Sequence, residues 1–97
     1  MRKTDKKIDN KLRQSLTEVC DFALESIEGY QWITHKVNYE NFPDSLQITC
    51  AFIAQSNIDE LKHSQQDRVL RKTIEEQLTG IDIKLKNAEK QIIFIVA

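Results

Sequence analysis

Residues 30–54 read YQWITHKVNYENFPDSLQITCAFIA and hold the most regular apolar alternation in the chain. In the first half, Ile33, His35, Val37 and Tyr39 alternate with Trp32, Thr34, Lys36 and Asn38. Side chains of a strand point alternately to its two faces, so this period predicts a strand over about Gln31–Tyr39. In the second half, Leu46, Ile48, Cys50 and Phe52 alternate with Gln47, Thr49, Ala51 and Ile53, which predicts another over Leu46–Ala54. Between them Glu40–Ser45 reads as a turn, because Pro43 has no N–H to donate to a ladder and Asp44 favours turn geometry. The stretch is a predicted hairpin, with its cleaner apolar face under helices.

Upstream, apolar residues fall at 8, 12, 16, 19, 20, 23 and 27. Steps of three and four put them on one side of an α-helix, with Lys11, Gln14, Glu18, Asp21, Glu25 and Glu28 largely opposite. Phe22 and Leu24 lie toward the margins of that stripe, and Gly29 is a natural stop. Residues 1–7, MRKTDKK, are polar and expected to fray, with Thr4 or Asp5 as a cap. The expected core places Ile8, Leu12, Leu16, Val19, Ala23 and Ile27 on Leu46, Ile48, Cys50 and Phe52.

Downstream, Ser56-Asn-Ile-Asp caps a short predicted helix over Asn57–His63. The period lapses through residues 62–67, where Ser64 and Asp67 offer a second cap, and a longer helix follows over Gln65–Thr79. Its stripe is Val69, Leu70, Ile74 and Leu78, and Gly80 ends it. Ile81, Ile83 and Leu85 alternate with Asp82, Lys84 and Lys86, a strand pattern. Asn87–Lys90 reads as a polar turn, and QIIFIVA (91–97) as a strand apolar on both faces. The expected fold is α+β, a single two-layer domain over residues 1–97 in the order α-β-β-(short α)-α-β-β. Its sheet is expected to be antiparallel with the helices on one face.

A chain of 97 residues builds one core, and 40% hydrophobic with 30% charged residues describes a globular protein rather than a disordered one. The apolar run at 92–97 is too short to span a bilayer, and no apolar h-region follows the charged N-terminus, so a cytoplasmic protein is expected. Cys20 and Cys50 are then expected to be reduced and to pack as small hydrophobes. Charge is uneven: residues 1–13 carry +4, residues 14–60 carry −7 and residues 61–97 carry +2. A basic end on an acidic body hints at a charged partner.

No nucleotide-binding glycine motif, C-x-x-C, H-E-x-x-H or G-x-S-x-G occurs. His35 and His63 are the only histidines, and neither has a neighbour at metal-site spacing. Pro43-Asp44 before a strand resembles the start of a metal-dependent nuclease motif, but Gln47-Ile-Thr-Cys50 lacks the acid and lysine that would hold Mg²⁺. No catalytic, cofactor-binding or metal-binding residue is assigned, and neither a small-molecule substrate nor a membrane is indicated.

Two surfaces remain. Arg2, Lys3, Lys6, Lys7, Lys11 and Arg13 are candidate phosphate contacts, with Arg68, Arg71 and Lys72 as further candidates. Trp32, Ile93, Phe94 and Ile95 are candidate interface residues, because an apolar strand end exposed on one face invites association.

MRKTDKKIDN (1–10), LTEVCDFALE (16–25) and GYQWITHKVNYENFPDSL (29–46) together resemble a family of small bacterial proteins labelled Fis-family transcriptional regulators. The resemblance is best over residues 1 to about 50 and implies a bacterial cytoplasmic protein, whose relatives are expected to continue past residue 97 with a polar tail. It brings no site residues. Fis itself is a helical dimer ending in a helix-turn-helix, whereas residues 81–97 read here as strands, so DNA binding by that analogy is a separate expectation. The leading expectation is a non-enzymatic regulatory or interaction protein that acts by protein–protein contact, its partner including a second copy as a homodimer. The alternative is a nucleic-acid-binding regulator that uses the basic N-terminal segment.

Overall fold

The computed structural model describes residues 3–42 and 44–97, with side chains described from Asp5 onward. The elements are α1 (Lys3–Ser26), β1 (Tyr30–Lys36), a 3-10 turn (Tyr39–Asn41), β2 (Gln47–Phe52), α2 (Gln55–His63), α3 (Gln66–Thr79), α4 (Ala88–Gln91) and β3 (Ile92–Val96). The fold is α+β, with one hydrophobic core.

Helix α1 sets the long dimension of the molecule, 24 residues in a body of 40 × 23 × 22 Å. Its stripe does what the spacing predicts: Leu12, Leu16, Val19, Ala23 and Ile27 are buried, and Ile8 packs against the same cluster. Phe22 and Leu24, at the margins, stay exposed. The helix already includes Lys3–Lys7, the part of the basic segment expected to fray; Met1 and Arg2 lie outside the described residues. The chain leaves through Gly29, at φ +81°. A Cβ there would collide with the Asn57 side chain, whose Oδ1 accepts from Ala54 N–H to start α2. Gly29 O in turn accepts from Ile53 N–H. One glycine therefore lets the end of α1, the end of β2 and the start of α2 meet.

Strands β1 and β2 pair antiparallel, with Ile33 opposite Cys50 and His35 opposite Ile48, and a bulge separates Tyr30 from Trp32. The hairpin is as expected, although both strands are shorter than the alternation suggested. Pro43 itself is outside the described residues. Ile48, Cys50 and Phe52 are fully buried on the face that meets the helices.

The second half departs from expectation in two places. The sheet is mixed, not antiparallel: its order is β1-β2-β3, and β3 runs parallel to β2 with Phe94 beside Cys50. A parallel neighbour needs a crossover, and α2 and α3 provide it. Residues 81–85 are not a strand. They wrap the end of α3, where Ile83 N–H reaches back to Leu78 O and Asp82 sits at φ 64°. Ile83 is buried and Ile81 and Leu85 partly so, which means the alternation records a connector packed on the core, turned at Asp82 and outside the sheet. Asn87–Lys90 is likewise helix rather than hairpin turn. Asn87 caps α4 through its side chain, and its own N–H donates to Gln91 Oε1. Val69, counted in the α3 stripe, is 55% exposed, since the buried line is Leu70, Ile74 and Leu78 at steps of four.

Candidate functional site

The core takes Ile33, Ile48, Cys50, Phe52, Ile92 and Phe94 from one side of the sheet, and takes none of Trp32, Ala51, Ile53, Ile93 and Ile95 on the other. On that face the register aligns Trp32, Ala51 and Ile95 in one row across the three strands, and Thr34, Thr49 and Ile93 in the next. Ala51, between Trp32 and Ile95 in its row, has no accessible surface. Trp32 is 41% exposed and Ile53, just past β2, is 61% exposed. Ile93 and Ile95 are half-buried. Three of the four expected interface residues, Trp32, Ile93 and Ile95, thus share one face, which turns polar toward Thr34, Thr49, Lys36 and Gln47.

Phe94 does not join them. It points to the helix side, where its ring meets Phe52 edge-on at 5.7 Å and carries the Arg71 guanidinium 4.5 Å from its centroid. The sequence missed this because a strand apolar on both sides gives no sign of which parity faces the core. Gln91 fixes that parity. It is buried, donating to the carbonyls of Leu46 and Asp44, and so ties the start of β3 to the start of β2.

The basic candidates are scattered by the fold. Lys6, Lys7 and Lys11 are exposed on α1. Arg13 is tied to Asp9 (Nε to Oδ2, 2.8 Å), and Arg71 to Asp67 (3.2 Å) and Phe94. Arg68 and Lys72 are exposed on α3. Lys3 has a described backbone only, and Arg2 falls outside the described residues.

A polar cluster that no sequence pattern signals joins α1 to the end of β1. Asp9 Oδ1 accepts from Tyr39 Oη–H and pairs with His35 Nε2, each at 3.1 Å. The His35 bond, against the opposing cost of burial, holds the Asp9 carboxyl below the usual carboxylate range, helped by Tyr39 and Arg13. Burial and the Asp9 carboxylate together push Tyr39 up to about 12. These residues line the end of a groove of about 780 Å³ between α1 and β1, with Cys20 farther along. Cys20 and Asp9 are eleven residues apart on one helix, roughly 16 Å along its axis at 1.5 Å per residue, so no acid–base–thiol relay assembles. The buried Tyr30 hydroxyl has no hydrogen-bond partner of good geometry; burial first, then the weakly accepting Cys20 thiol beside it, raises its pKa. Cys50 is also raised, to about 12, by burial. Both cysteines are free. Among the described residues no group of three or more metal-ligand side chains converges, and no helix is long and apolar enough to cross a membrane.

No family model, no curated protein and no solved structure matches the chain.

Proposed function

We propose that this is a non-enzymatic regulatory or interaction protein that works by holding another protein on the open side of its sheet. The observation that carries the reading is the row Trp32–Ala51–Ile95 with Ile53 and Ile93 beside it, an apolar surface on the face turned away from the core. Clustered apolar side chains at a surface mark contact sites far more than scattered ones do, and a large exposed indole is the side chain most often found to anchor them. The His35–Asp9–Tyr39 arrangement supports it from the other side. Its hydrogen bonds are satisfied among themselves and hold β1 against α1, a positioning task rather than a reactive one.

A nucleic-acid-binding regulator is the second reading, and exposed Lys6, Lys7 and Lys11 on the first turns of α1 favour it. It draws less support, because Arg13 and Arg71 are engaged by carboxylates of their own helices. One experiment separates the two. The tagged chain is used to capture partners from the native extract with and without nuclease, beside Ile53→Asp and a Lys6→Gln/Lys7→Gln/Lys11→Gln variant. The protein-contact reading expects a captured protein that survives nuclease and is lost with Ile53→Asp. Capture that needs nucleic acid and is lost with the lysine variant establishes the second reading in its place.

A further inference from the structure

We infer that the contact at the β3 end of this sheet is made with a second copy of the same chain, by antiparallel pairing of the two β3 edges about a two-fold axis through Phe94. The inference rests on the protein-contact reading above and assigns its partner and register.

The two edges of the sheet differ. Strand β1 is guarded: it carries Gln31, His35 and Lys36, and a bulge interrupts its start. Charge and bulges are what keep an edge from accepting another strand. Strand β3 reads Ile-Ile-Phe-Ile-Val, with no charge, proline or bulge. Arg71 lies on the Phe94 ring and is paired with Asp67, and exposed Lys90 precedes the strand by two residues, beyond the Val96–Ile92 pair, so the paired positions themselves carry no charge.

The register follows from the direction of the backbone groups. Ala97 N–H donates inward to Phe52 O at 2.8 Å. Successive residues of a strand turn their N–H and C=O to opposite sides, so Ile93 and Ile95 point inward to β2 while Phe94 and Val96 point outward. Ile92 N–H is taken by Ala88 O, which leaves its carbonyl outward. An antiparallel two-fold must pair outward residues with outward ones. Centred on Phe94 it uses the whole strand, whereas centring on Ile93 or Ile95 leaves part of β3 unpaired. In the Phe94 register the two Phe94 residues exchange N–H···O=C bonds, and each Val96 N–H meets the Ile92 carbonyl of the other copy. Ile93 of one copy then faces Ile95 of the other in a non-hydrogen-bonded pair, where side chains come closest. The sequence is self-complementary about Phe94: isoleucine pairs with isoleucine on the open face, and isoleucine with valine on the helix face. The apolar rows of the two open faces become continuous across the axis.

A five-residue strand engages fewer residues than the ~20–30 a side of a standard interface, so the dimer is a weak one, in the micromolar range, and insensitive to salt. The test uses the full chain. Ile93→Cys and Ile95→Cys are made separately in a Cys20→Ala background and oxidised alone and mixed, while the unaltered protein is run in sedimentation velocity across micromolar concentrations. The expected result is a dimer in sedimentation, and at least tenfold more disulfide-linked dimer from the mixture than from either variant alone. Val96→Pro removes an outward N–H from an exposed residue and leaves the bonds to β2; it is expected to weaken the dimer at least tenfold with the fold retained in circular dichroism. Monomer throughout, linking of either variant with itself as readily as in the mixture, or a Val96→Pro dimer of unchanged strength overturns the inference. A monomer that still captures a foreign protein through Ile53 overturns the inference alone and leaves the protein-contact reading in place. A two-fold dimer as described, with no partner lost on Ile53→Asp, overturns the role of the open face and not that of the edge.

Discussion

Three leucines of one helix make a graded test of where the core lies. Leu12 has no accessible surface, Leu16 is 3% exposed and lines the α1–β1 groove, and Leu24 is 55% exposed. Truncation to alanine removes three carbons, worth ~2.4 kcal/mol of transfer free energy at about 0.8 kcal/mol per buried methylene. At Leu12 the space left is enclosed by packed neighbours and stays partly empty. A residual cavity of ~50–80 Å³ adds about 1–2 kcal/mol at roughly 24 cal/mol per Å³. Leu12→Ala is therefore expected to cost about 3.5–4.5 kcal/mol. At Leu16 the groove lets solvent and neighbours fill the gap, so the transfer term stands nearly alone and Leu16→Ala costs about 2–3 kcal/mol. Leu24→Ala should fall within about 0.5 kcal/mol of zero, as a surface change does. A domain of this size has about 5–15 kcal/mol of stability in all, so each variant still folds in buffer. Urea titrations followed by far-UV circular dichroism measure the series, with an unchanged m-value as the check that only stability has moved. Equal losses at Leu12 and Leu24, or a loss below about half a kcal/mol at Leu16, would show that α1 does not pack by this face.

Gly29→Ala should destabilise by more than about 1–2 kcal/mol, the ordinary cost of a left-handed alanine, because its Cβ also displaces the Asn57 cap of α2; thermal unfolding checks this. Gln91→Ala strips the Leu46 and Asp44 carbonyls of a buried donor and should cost about 1–3 kcal/mol, with hydrogen exchange accelerated in β3 before the rest of the sheet. Asp9 is depressed in the folded chain, so its contribution is complete above its unfolded value near 4 and is lost as pH falls through the folded value; Asp9→Asn should flatten the stability curve on that acid side. Tyr39 runs the other way. Its folded value is raised, so its contribution is whole below pH ~10 and disappears as pH rises toward 12, a loss that Tyr39→Phe should abolish in alkaline urea titrations.

What could be read from the sequence divides along the range of the forces involved. The α1 stripe and the β1–β2 alternation are local periods, each long enough to specify one face, and Leu12 through Ile27 and Ile48 through Phe52 lie buried as those periods require. Asp9, His35 and Tyr39 are separated by 26 and 30 residues and obey no period, so their contact is invisible until α1 lies along β1. His35 reads as an isolated histidine in sequence for that reason, and its ring nitrogen turns out to hold a helix to a strand.

The most instructive departure is the C-terminal third. Alternation at Ile81, Ile83 and Leu85 followed by a polar quartet and an apolar run looks like a hairpin because period two reports only that alternate side chains are buried. It does not report where the backbone hydrogen bonds go. In the folded chain Ile81, Asp82 and Ile83 N–H groups return to the end of α3, and among the described residues β3 pairs with β2 alone. Asn87 and Gln91 then close one helical turn, and the Gln91 amide clamps the incoming strand to Leu46 O. With β3 delivered at the Leu46 end of β2, parallel pairing is the arrangement that lets Ile92 and Phe94 reach Ile48 and Cys50. That one redirection has a consequence for association. An antiparallel hairpin would have placed a strand over residues 81–86, bearing Lys84 and Lys86, beside β3, and those lysines would have guarded the sheet. The crossover instead leaves the uncharged β3 as the outermost strand, with Phe94 and Val96 turning their backbone groups outward. The feature the sequence could not disclose, the parallel seat of β3, is what leaves an edge fit to pair.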